Sequence, residues 1–237
     1  MKTAIILAAG VGSRLRPLTE TMPKCCVPVA GEPLICRIVR QLQSGASDMP
    51  IYVATGYLGG VVQEALSACG GTIHFVDNAD YATTNNMESC RMALEARTET
   101  GPSLIMNADC AYDDAIVDRM LGVEESCIAA DVNAYFEENM KVRLVDNVVR
   151  DISKAIPKGA GVATSVDLYS FTAKDVARLL EIMQAFKANG DLTQWTEVAI
   201  AQLVRERDVT IADTEGKPWV EIDNHDDLKL AASLFSG

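Results

Sequence analysis

Positive charge is scarce in this sequence. Only 21 residues are lysine or arginine, against 33 aspartates and glutamates, and the formal net charge at pH 7 is −12. Proteins that bind nucleic acid usually present a basic surface, and an anionic membrane repels an acidic protein. The composition therefore argues against nucleic acid and membrane partners. It also predicts that any anionic ligand is bound by a few local cations.

Histidines and paired cysteines are scarce too. The chain has two histidines and seven cysteines, and no two cysteines form a C-x-x-C pair. An odd number of scattered cysteines in a chain of 237 residues favours neither a zinc finger nor a disulfide framework. The apolar run at residues 4–9 is too short for a signal peptide or a membrane span. We therefore expect reduced cysteines and a cytoplasmic location.

Short apolar strands alternate with amphipathic helical segments in the first half of the chain. Strands are predicted at 2–8, 51–56, 72–78 and 103–109, and helices at 33–45, 58–66 and 87–96. This alternation is typical of right-handed βαβ units. It predicts an α/β fold with a Rossmann-like, mostly parallel mixed sheet flanked by helices.

After about residue 126 the pattern becomes more mixed. We predict a hairpin around Asp146 and Asn147 and a helix at 225–235 for which Asn224 is the cap, with Asp227 three residues on. The other elements of this half are predicted as strands at 166–171, 209–214 and 218–223 and helices at 173–188 and 194–206. Because no linker or repeat interrupts the chain, we expect a single domain spanning 1–237.

The stretch LAAGVGSRLRPLTETMPK, residues 7–24, directly follows the first predicted strand. Gly10 and Gly12 allow backbone N–H groups to approach an anion, while Arg14 and Lys24 supply positive charge. Ligands of parallel sheets bind at the carboxyl ends of the strands. The stretch therefore predicts a polyphosphate-binding loop.

Two common phosphate-binding motifs do not match this loop. The dinucleotide fingerprint G-x-G-x-x-G requires a glycine where Leu15 stands, and the P-loop motif is absent. The stretch instead resembles the signature of the nucleotidyltransferases that activate sugar phosphates and small phospho-alcohols, L-A-A-G-x-G-[ST]-R-[LM]-x-P-L-T ending in P-K. The resemblance continues through NAD (107–109), ISK (152–154) and EID (221–223).

This resemblance implies a single-domain fold of the nucleotide-diphospho-sugar transferase type. Its nucleotide-binding half would be about 1–125, and its acceptor-binding half about 126–237. In the family, the loop binds the base and triphosphate, and the lysine of the P-K pair reaches the α-phosphate. The implied nucleotide-binding residues are Leu7, Ala8, Ala9, Gly10, Gly12, Ser13, Arg14 and Lys24. Asn85 and Asn86, in a loop before a helix, are candidates for the base or the acceptor, or for a helix cap.

The resemblance also implies a metal site and catalytic residues. Asp109 and Asp223 match the two carboxylates that hold catalytic Mg²⁺, and Lys154 matches a lysine that binds the acceptor's phosphate. The family often has Glu-Lys-Pro there, whereas this chain has DISKAIP. Arg14, Lys24 and Lys154 are therefore the candidate catalytic residues.

The implied reaction is attack of an acceptor phosphate oxygen on the α-phosphorus of a nucleoside triphosphate, with release of pyrophosphate. Since this nucleophile is already an oxyanion, it needs no general base, which agrees with the scarcity of histidine. Charge neutralisation by Mg²⁺ and positioning of the two anions would then carry the rate.

Beyond the signature, the chain most resembles the phosphocholine and phosphonate (2-aminoethylphosphonate) cytidylyltransferase branch. The similar stretches are NADYATTNNMESCRMAL (78–94), NMKVRLVDNVVRDISK (139–154) and WVEIDNHDDL (219–228). This implies CTP as the nucleotide and a small acceptor with a phosphate or phosphonate and an amine. We expect these small molecules as partners; whether the chain forms a homo-oligomer stays open.

The acceptor's amine decides which residues would bind it. A quaternary ammonium favours an aromatic cage, whereas a primary amine favours carboxylates. Candidate acceptor-binding residues are Asp131, Lys154, Asp167, Tyr169, Trp195 and Glu197, although packing or surface charge explains each of them singly. Further aromatic candidates are Tyr112, Tyr135, Phe136 and Trp219.

Two other functions remain open at this point. One is a sugar-1-phosphate nucleotidyltransferase that uses UTP, dTTP or GTP. The other is a non-catalytic regulatory subunit that binds a nucleotide. The presence together of Arg14, Lys24, Asp109 and Asp223 argues against the regulatory subunit, because a silent module needs no pair of metal-binding carboxylates.

Overall fold

The computed structural model describes residues 1–236, which form thirteen strands and seven α-helices. The strands are β1 (Thr3–Leu7), β2 (Pro28–Val29), β3 (Glu32–Pro33), β4 (Ile51–Thr55), β5 (Ile73–Asp77), β6 (Ser103–Asn107), β7 (Cys110–Tyr112), β8 (Cys127–Asp131), β9 (Lys141–Val145), β10 (Val148–Ser153), β11 (Val162–Phe171), β12 (Thr210–Asp213) and β13 (Trp219–Glu221). The helices are α1 (Leu34–Gly45), α2 (Gly59–Leu66), α3 (Asn86–Ala96), α4 (Asp114–Gly122), α5 (Ala173–Ala188), α6 (Thr196–Glu206) and α7 (His225–Phe235).

Nine strands form one mixed sheet in the order β10-β9-β11-β6-β1-β4-β5, with β8 paired to β11 and β12 paired to β8. The strands from the first half, β6, β1, β4 and β5, run parallel. Strand β11 runs antiparallel to its three neighbours β6, β8 and β9. The predicted α/β fold is confirmed, and both halves of the chain contribute strands to the same sheet.

The sheet is buried on both faces. Along β1, Ala4 and Ile6 belong to one apolar cluster, whereas Ile5 and Leu7 belong to another, because successive side chains of a strand point to opposite faces. The first cluster includes buried residues of α1, α2 and α4, and the second includes those of α3, α5 and α6. Burial on both faces explains why β1 is a continuous apolar run without alternation.

Local sequence signals in the second half are confirmed. Asp146 and Asn147 connect β9 to β10 with φ of 52° and 62°, the left-handed conformations of a tight hairpin. Asn224 caps α7 through its side chain, and the carboxylate of Asp227 accepts a hydrogen bond from the backbone N–H of Asn224. Each of these signals is confined to a few neighbouring residues, which is why the sequence predicted both correctly.

Several parts of the fold were not predicted, among them the short strands β2, β3 and β7. The strand β8, a run of only five residues that lies between β11 and β12 in the sheet, was not predicted either. The loop after β1 leads into short 3₁₀ turns at Ser13–Leu15, Leu18–Glu20 and Lys24–Cys26, and α1 begins only at Leu34. The glycine-rich loop therefore presents its own backbone and not the N-terminus of an α-helix. Among residues 1–236, no helix combines the length and apolar character that crossing a bilayer requires.

Candidate active site

A pocket of about 430 Å³ opens beyond the carboxyl ends of β1 and β6. This is the expected position for a ligand of a parallel α/β sheet, and the volume suits a small molecule. The predicted site residues that line it are Leu7, Ala9, Gly10, Gly12, Ser13, Arg14, Lys24, Asn85, Asn86, Asp109, Lys154, Asp167, Trp195, Glu197 and Asp223. Residues more than two hundred positions apart thus meet in one place.

Gly12 fits the loop for two reasons. Its φ of 68° lies in the left-handed region that side chains disfavour. A Cβ atom at this position would also lie 2.6 Å from Cβ of Lys24, so glycine alone allows the lysine to pass so closely. Gly10 has no neighbouring heavy atom within 4 Å of such a position, which leaves space for a ligand.

Lys24 joins the two predicted metal ligands. Its Nζ donates to Oδ2 of Asp109 and to Oδ1 of Asp223, both at 2.8 Å. Arg14 adds a second cation, because its guanidinium lies 2.9 Å from the other oxygen of Asp223. The cations expected to bind phosphate therefore neutralise the carboxylates expected to bind metal.

The pKa values reflect this pairing. Burial alone would lower the pKa of Lys24, but Asp109 and Asp223 more than reverse that effect and raise it above its usual value. Burial would raise the pKa of Asp223, yet the charges of Lys24, Arg14 and Lys154 lower it. At neutral pH the cluster is therefore a charged ion network.

Glu221 is a third carboxylate that the sequence analysis missed. Oxygens of Asp109, Glu221 and Asp223 lie within 4.8 Å of one another, close enough to share one metal ion. Burial, together with Asp167, Asp109 and Asp223, raises the pKa of Glu221 to about 8. The available signal was its spacing: residues two apart on an extended chain point to the same side, and Glu221 stands two before Asp223.

Further along the pocket, Asp167 and Glu197 share a tyrosine hydroxyl. The Oη of Tyr169 lies 3.0 Å from Oδ1 of Asp167 and 2.9 Å from Oε1 of Glu197, and Asn107 donates to the other oxygen of Asp167. Asp167 and Glu197 are both buried, and the structure shows no ion pair to either within residues 1–236. Asp167 and Glu197 therefore form a buried pair of carboxyl groups that no ion pair neutralises within residues 1–236.

The backbone of β11 aims Asp167 into the pocket. Asp167 has a φ of 57°, and the pairing of β11 with β8 shifts register between Ser165 and Tyr169. Such irregularities redirect a side chain, and Asp tolerates the left-handed region better than most residues.

Burial and the neighbouring carboxylates Glu197 and Asp109 raise the pKa of Asp167 to about 8. Burial raises the pKa of Glu197 as well, against the hydrogen bond from Tyr169. The largest cause of both shifts is burial, which disfavours the charged form of a carboxyl group, and neighbouring carboxylates add to it.

Lys154 and Trp195 lie at the same end of the pocket. Nζ of Lys154 is 5.3 Å from the centre of the Trp195 ring, within the range of a cation–π contact. Asn85 caps α3 through its side chain, and Thr196 donates its N–H to Oδ1 of Asn86, which ties the start of α6 to the start of α3. The two predicted asparagines thus line the pocket and also have structural bonds.

Three predicted residues do not line the pocket. Ala8 is buried, and its N–H donates to Ala54 in the neighbouring strand. Tyr169 is 1% exposed, and its hydroxyl is hydrogen-bonded to the carboxyl groups of Asp167 and Glu197 from within the core. Asp131 lies elsewhere, where its carboxylate accepts a hydrogen bond from Nε1 of Trp219.

The other aromatic candidates do not form a cage. Tyr112 is fully buried, and its hydroxyl donates to the carbonyl of Val166. Phe136 packs edge-on against Trp219, away from the pocket. Among the predicted aromatic residues, Trp195 alone lines the pocket.

The pocket also includes residues that the sequence analysis did not propose. These are Asn78, Tyr81, Thr84, Ser89, Asn107, Met140 and Glu221. Several belong to the stretches 78–94 and 139–154 that carry the resemblance to cytidylyltransferases, so the stretches were identified although these side chains were not.

Comparison with known proteins identifies the family. The model of the MobA-like NTP transferase domain matches residues 4–141, more than half of the chain. A bifunctional IPC transferase and DIPP synthase of Rubrobacter xylanophilus is 30% identical over 238 residues, covering 99% of this chain and 52% of that protein. The 2-aminoethylphosphonate cytidylyltransferase of Lancefieldella rimae is 29% identical over 230 residues, covering 93% and 88%.

A solved structure supports the fold. The CTP:phosphocholine cytidylyltransferase of Streptococcus pneumoniae superposes with a TM-score of 0.79 at 24% identity, covering 98% of each chain. The present chain spans about half the length of the bifunctional relative and nearly all of this smaller enzyme. The chain therefore belongs to the nucleotidyltransferases of the MobA-like NTP transferase domain family.

Proposed function

We propose that this protein is a Mg²⁺-dependent cytidylyltransferase, which transfers CMP from CTP to a small acceptor and releases pyrophosphate. The acceptor carries a phosphate or phosphonate and a primary amine, as 2-aminoethylphosphonate does. The observation that carries the proposal is the division of charge in one pocket. Cations and a glycine loop line one end, and the carboxylates Asp167 and Glu197, which have no basic partner in residues 1–236, line the other.

The glycine-loop end suits a triphosphate. Gly10 leaves open space beside the backbone, and Ser13, Arg14 and Lys24 supply donors and positive charge. A triphosphate would draw Arg14 and Lys24 from the carboxylates that they neutralise in the free protein. This exchange keeps the charges of the site balanced before and after substrate binds.

The carboxylates released in that exchange suit a divalent cation. Asp109, Glu221 and Asp223 can place oxygens within 4.8 Å of one another, and oxygen ligands are those that Mg²⁺ prefers. The ammonium of Lys24 already lies between Asp109 and Asp223, so a cation fits there. Bound Mg²⁺ would neutralise phosphate charge.

Lys154, Asp167 and Glu197 suit the two ends of a zwitterionic acceptor. Lys154 is positioned for the phosphate or phosphonate, while Asp167 and Glu197 would bind the ammonium. A primary ammonium donates three hydrogen bonds, which matches a pair of carboxylates. A trimethylammonium group donates none and favours aromatic faces, of which the acceptor end supplies that of Trp195. The site therefore favours 2-aminoethylphosphonate over phosphocholine.

The chemistry follows from these positions. An oxygen of the acceptor's phosphonate attacks the α-phosphorus of CTP, the bond to the β-phosphate oxygen breaks, and pyrophosphate leaves. No proton must be removed from the nucleophile, so the site requires no general base. Lys24 is placed to stabilise charge that develops on the α-phosphate oxygens, which is the main task in phosphoryl transfer.

Pyrophosphate release tests the proposal. Each of CTP, UTP, dTTP, GTP and ATP is incubated with Mg²⁺ and one acceptor: 2-aminoethylphosphonate, phosphoethanolamine, phosphocholine or mixed hexose 1-phosphates. We expect the highest kcat/KM with CTP and 2-aminoethylphosphonate. Release only with a hexose 1-phosphate would establish the sugar nucleotidyltransferase instead, and preference for phosphocholine would overturn the role given to Asp167 and Glu197.

A further inference from the structure

Lys154 is an exposed residue whose ammonium group contacts one aromatic ring, that of Trp195. It follows the last residue of β10 and makes no hydrogen bond or ion pair among the residues that the structure describes. Its Nζ lies over the ring of Trp195 at 5.3 Å. The flexible side chain of a lysine loses rotational freedom when it is held, so this contact must offset an entropic cost.

The main chain that carries Trp195 is well fixed. The segment before α6 bonds to the start of α3 through the main-chain pairs Asn85 to Leu192 and Met87 to Gln194. Thr196 continues this link through the side chain of Asn86. Trp195 is therefore held on both sides by α3 and α6, although 44% of its surface is exposed to the pocket and solvent.

Without the ring of Trp195, the side chain of Lys154 would be attracted to a nearby cluster of carboxylates. Lys154 is close enough to Asp223 to affect the charge of its carboxylate, and two further acidic residues, Asp109 and Glu221, lie beside it. An ammonium that is free to move is drawn toward such a cluster. The ring keeps Nζ of Lys154 at the acceptor end of the pocket.

We infer that Trp195 is a positioning residue, whose ring holds the Lys154 ammonium ready for the acceptor's phosphate or phosphonate and stays in contact with it when that group binds. This inference rests on the proposed function for the role of Lys154. It differs from a choline cage, because the cation on the ring in the free protein is the enzyme's own lysine. Trp195 thus acts through Lys154 and needs no contact with the acceptor's amine.

A double-mutant cycle separates this role from direct binding. Trp195→Leu removes the aromatic face and should raise the KM for 2-aminoethylphosphonate about threefold to tenfold, as expected for a cation–π contact. The KM for CTP should stay within about twofold of wild type, and Trp195→Phe, which retains a ring, should recover part of the loss. In a Lys154→Gln background, Trp195→Leu should cause no further rise. Independent, multiplicative effects of the two changes would overturn the inference.

Fluorescence tests the contact without turnover. The chain has two tryptophans, so in Trp219→Phe protein the emission reports on Trp195 alone. Lys154→Gln should change this emission in the free protein, and 2-aminoethylphosphonate or inorganic phosphate should change it when Lys154 is present. The same additions should leave the emission of the Lys154→Gln protein unchanged.

The two experiments distinguish failure of the inference from failure of the proposed function. Identical emission with lysine or glutamine at position 154 would overturn the inference, even if the enzyme turns over CTP as proposed. If no acceptor is turned over but phosphate still shifts the emission through Lys154, the proposed acceptor is wrong and the positioning role stands. If phosphate fails to shift it as well, the positioning role is wrong.

Discussion

The two ends of the pocket are built in opposite ways. The triphosphate end comes from one continuous stretch, residues 7–24, and its cations already form ion pairs with Asp109 and Asp223. The end proposed to bind the acceptor is assembled from β11, α6 and the residue after β10; its buried carboxyl groups Asp167 and Glu197 share the hydroxyl of Tyr169, and Asp167 also accepts a hydrogen bond from the amide of Asn107.

This difference shows at which end of the pocket the charges are already neutralised in the free protein. Ion pairs at the end with the glycine-rich loop stabilise the free protein, whereas burial at the other end raises the pKa of Asp167 to about 8 and so opposes its ionisation. Lys154 lines this end as well, but it forms no ion pair with Asp167 or Glu197 within residues 1–236. A substrate that brings an ammonium would favour the ionised form of both carboxyl groups.

The largest effect is expected where the two ends meet, at Asp109. Asp109→Asn removes one negative charge from the carboxylate cluster and should lower kcat/KM about a thousandfold or more, since several kcal/mol of charge stabilisation depend on the metal. Steady-state pyrophosphate release measures the loss. Asp113→Asn is the matched control, because Asp113 caps α4 outside the pocket and asparagine caps equally well. Turnover within about tenfold of wild type would remove Asp109 from the metal site.

Lys24→Met should affect catalysis and metal binding in opposite directions. Turnover should fall about a hundredfold to a thousandfold, because a donor to the developing charge is lost. Binding of Mn²⁺ to the free protein should tighten by about tenfold or more, since the ammonium 2.8 Å from Asp109 and Asp223 no longer competes. Titration calorimetry and electron paramagnetic resonance measure the metal affinity. Lys229→Met, which alters an exposed ion pair, should change neither quantity. Weaker Mn²⁺ binding in Lys24→Met would contradict the exchange of cations proposed here.

Asp167→Asn tests the buried carboxyl group of Asp167, which has no ion-pair partner within residues 1–236. The pKa of Asp167 rises from its ordinary value of 3.8 to about 8 on folding, so the folded state binds more protons than the unfolded state in that interval. The free energy of unfolding is therefore highest below about pH 4 for this group and falls as the pH rises to about 8. The asparagine variant should lose this slope and, at about pH 8.5, melt a few degrees higher than wild type.

The same variant should bind the acceptor poorly, with a rise of about tenfold or more in the KM for 2-aminoethylphosphonate. Thermal unfolding followed by circular dichroism across the pH range, together with acceptor kinetics, measures both effects. A variant that is less stable than wild type at high pH would show that the Asp167 carboxylate is stabilised in the fold and not strained.

The smallest effect is expected for Asp131→Asn. Outside the pocket its two oxygens accept hydrogen bonds from Nε1 of Trp219 and from the N–H of Asn133, and the single amide oxygen of asparagine can retain one of them. The acceptor KM should stay within about twofold of wild type, and stability should change by about 1 kcal/mol or less. Acceptor kinetics and chemical denaturation provide the check. A large rise in the acceptor KM would place Asp131 at the acceptor end and break the division drawn between the two ends.

Local motifs made much of the fold predictable. The βαβ alternation predicted the parallel strands β1, β4, β5 and β6, and turn and cap residues predicted the hairpin at Asp146 and the start of α7. Strand β8 was not predicted, because its place in the sheet depends on pairing with β11 and β12 and not on any feature of its own five residues. When the partners of a strand lie far away in the sequence, the residues of the strand itself do not indicate with which strands it pairs.

The candidate site divides in the same manner. All loop residues that line the pocket are among the candidates that the resemblance implies, whereas Ala8, another of those candidates, is buried and does not line it. Of the aromatic candidates, Trp195 alone lines the pocket, whereas Glu221 and Asn107 line it without having been proposed.

The sequence by itself determined the fold class and the position of the glycine-rich loop at the edge of the sheet, because strand periodicity and the conformational freedom of Gly10 and Gly12 act over a few residues. Only the tertiary structure decided which charges meet. The bulge in β11 turned Asp167 toward Glu197, thirty positions away, and the carboxyl ends of β1, β6 and β13 brought Lys24 between Asp109 and Asp223. Electrostatic interactions depend on distance in space and on burial, and neither can be read from the order of residues along the chain.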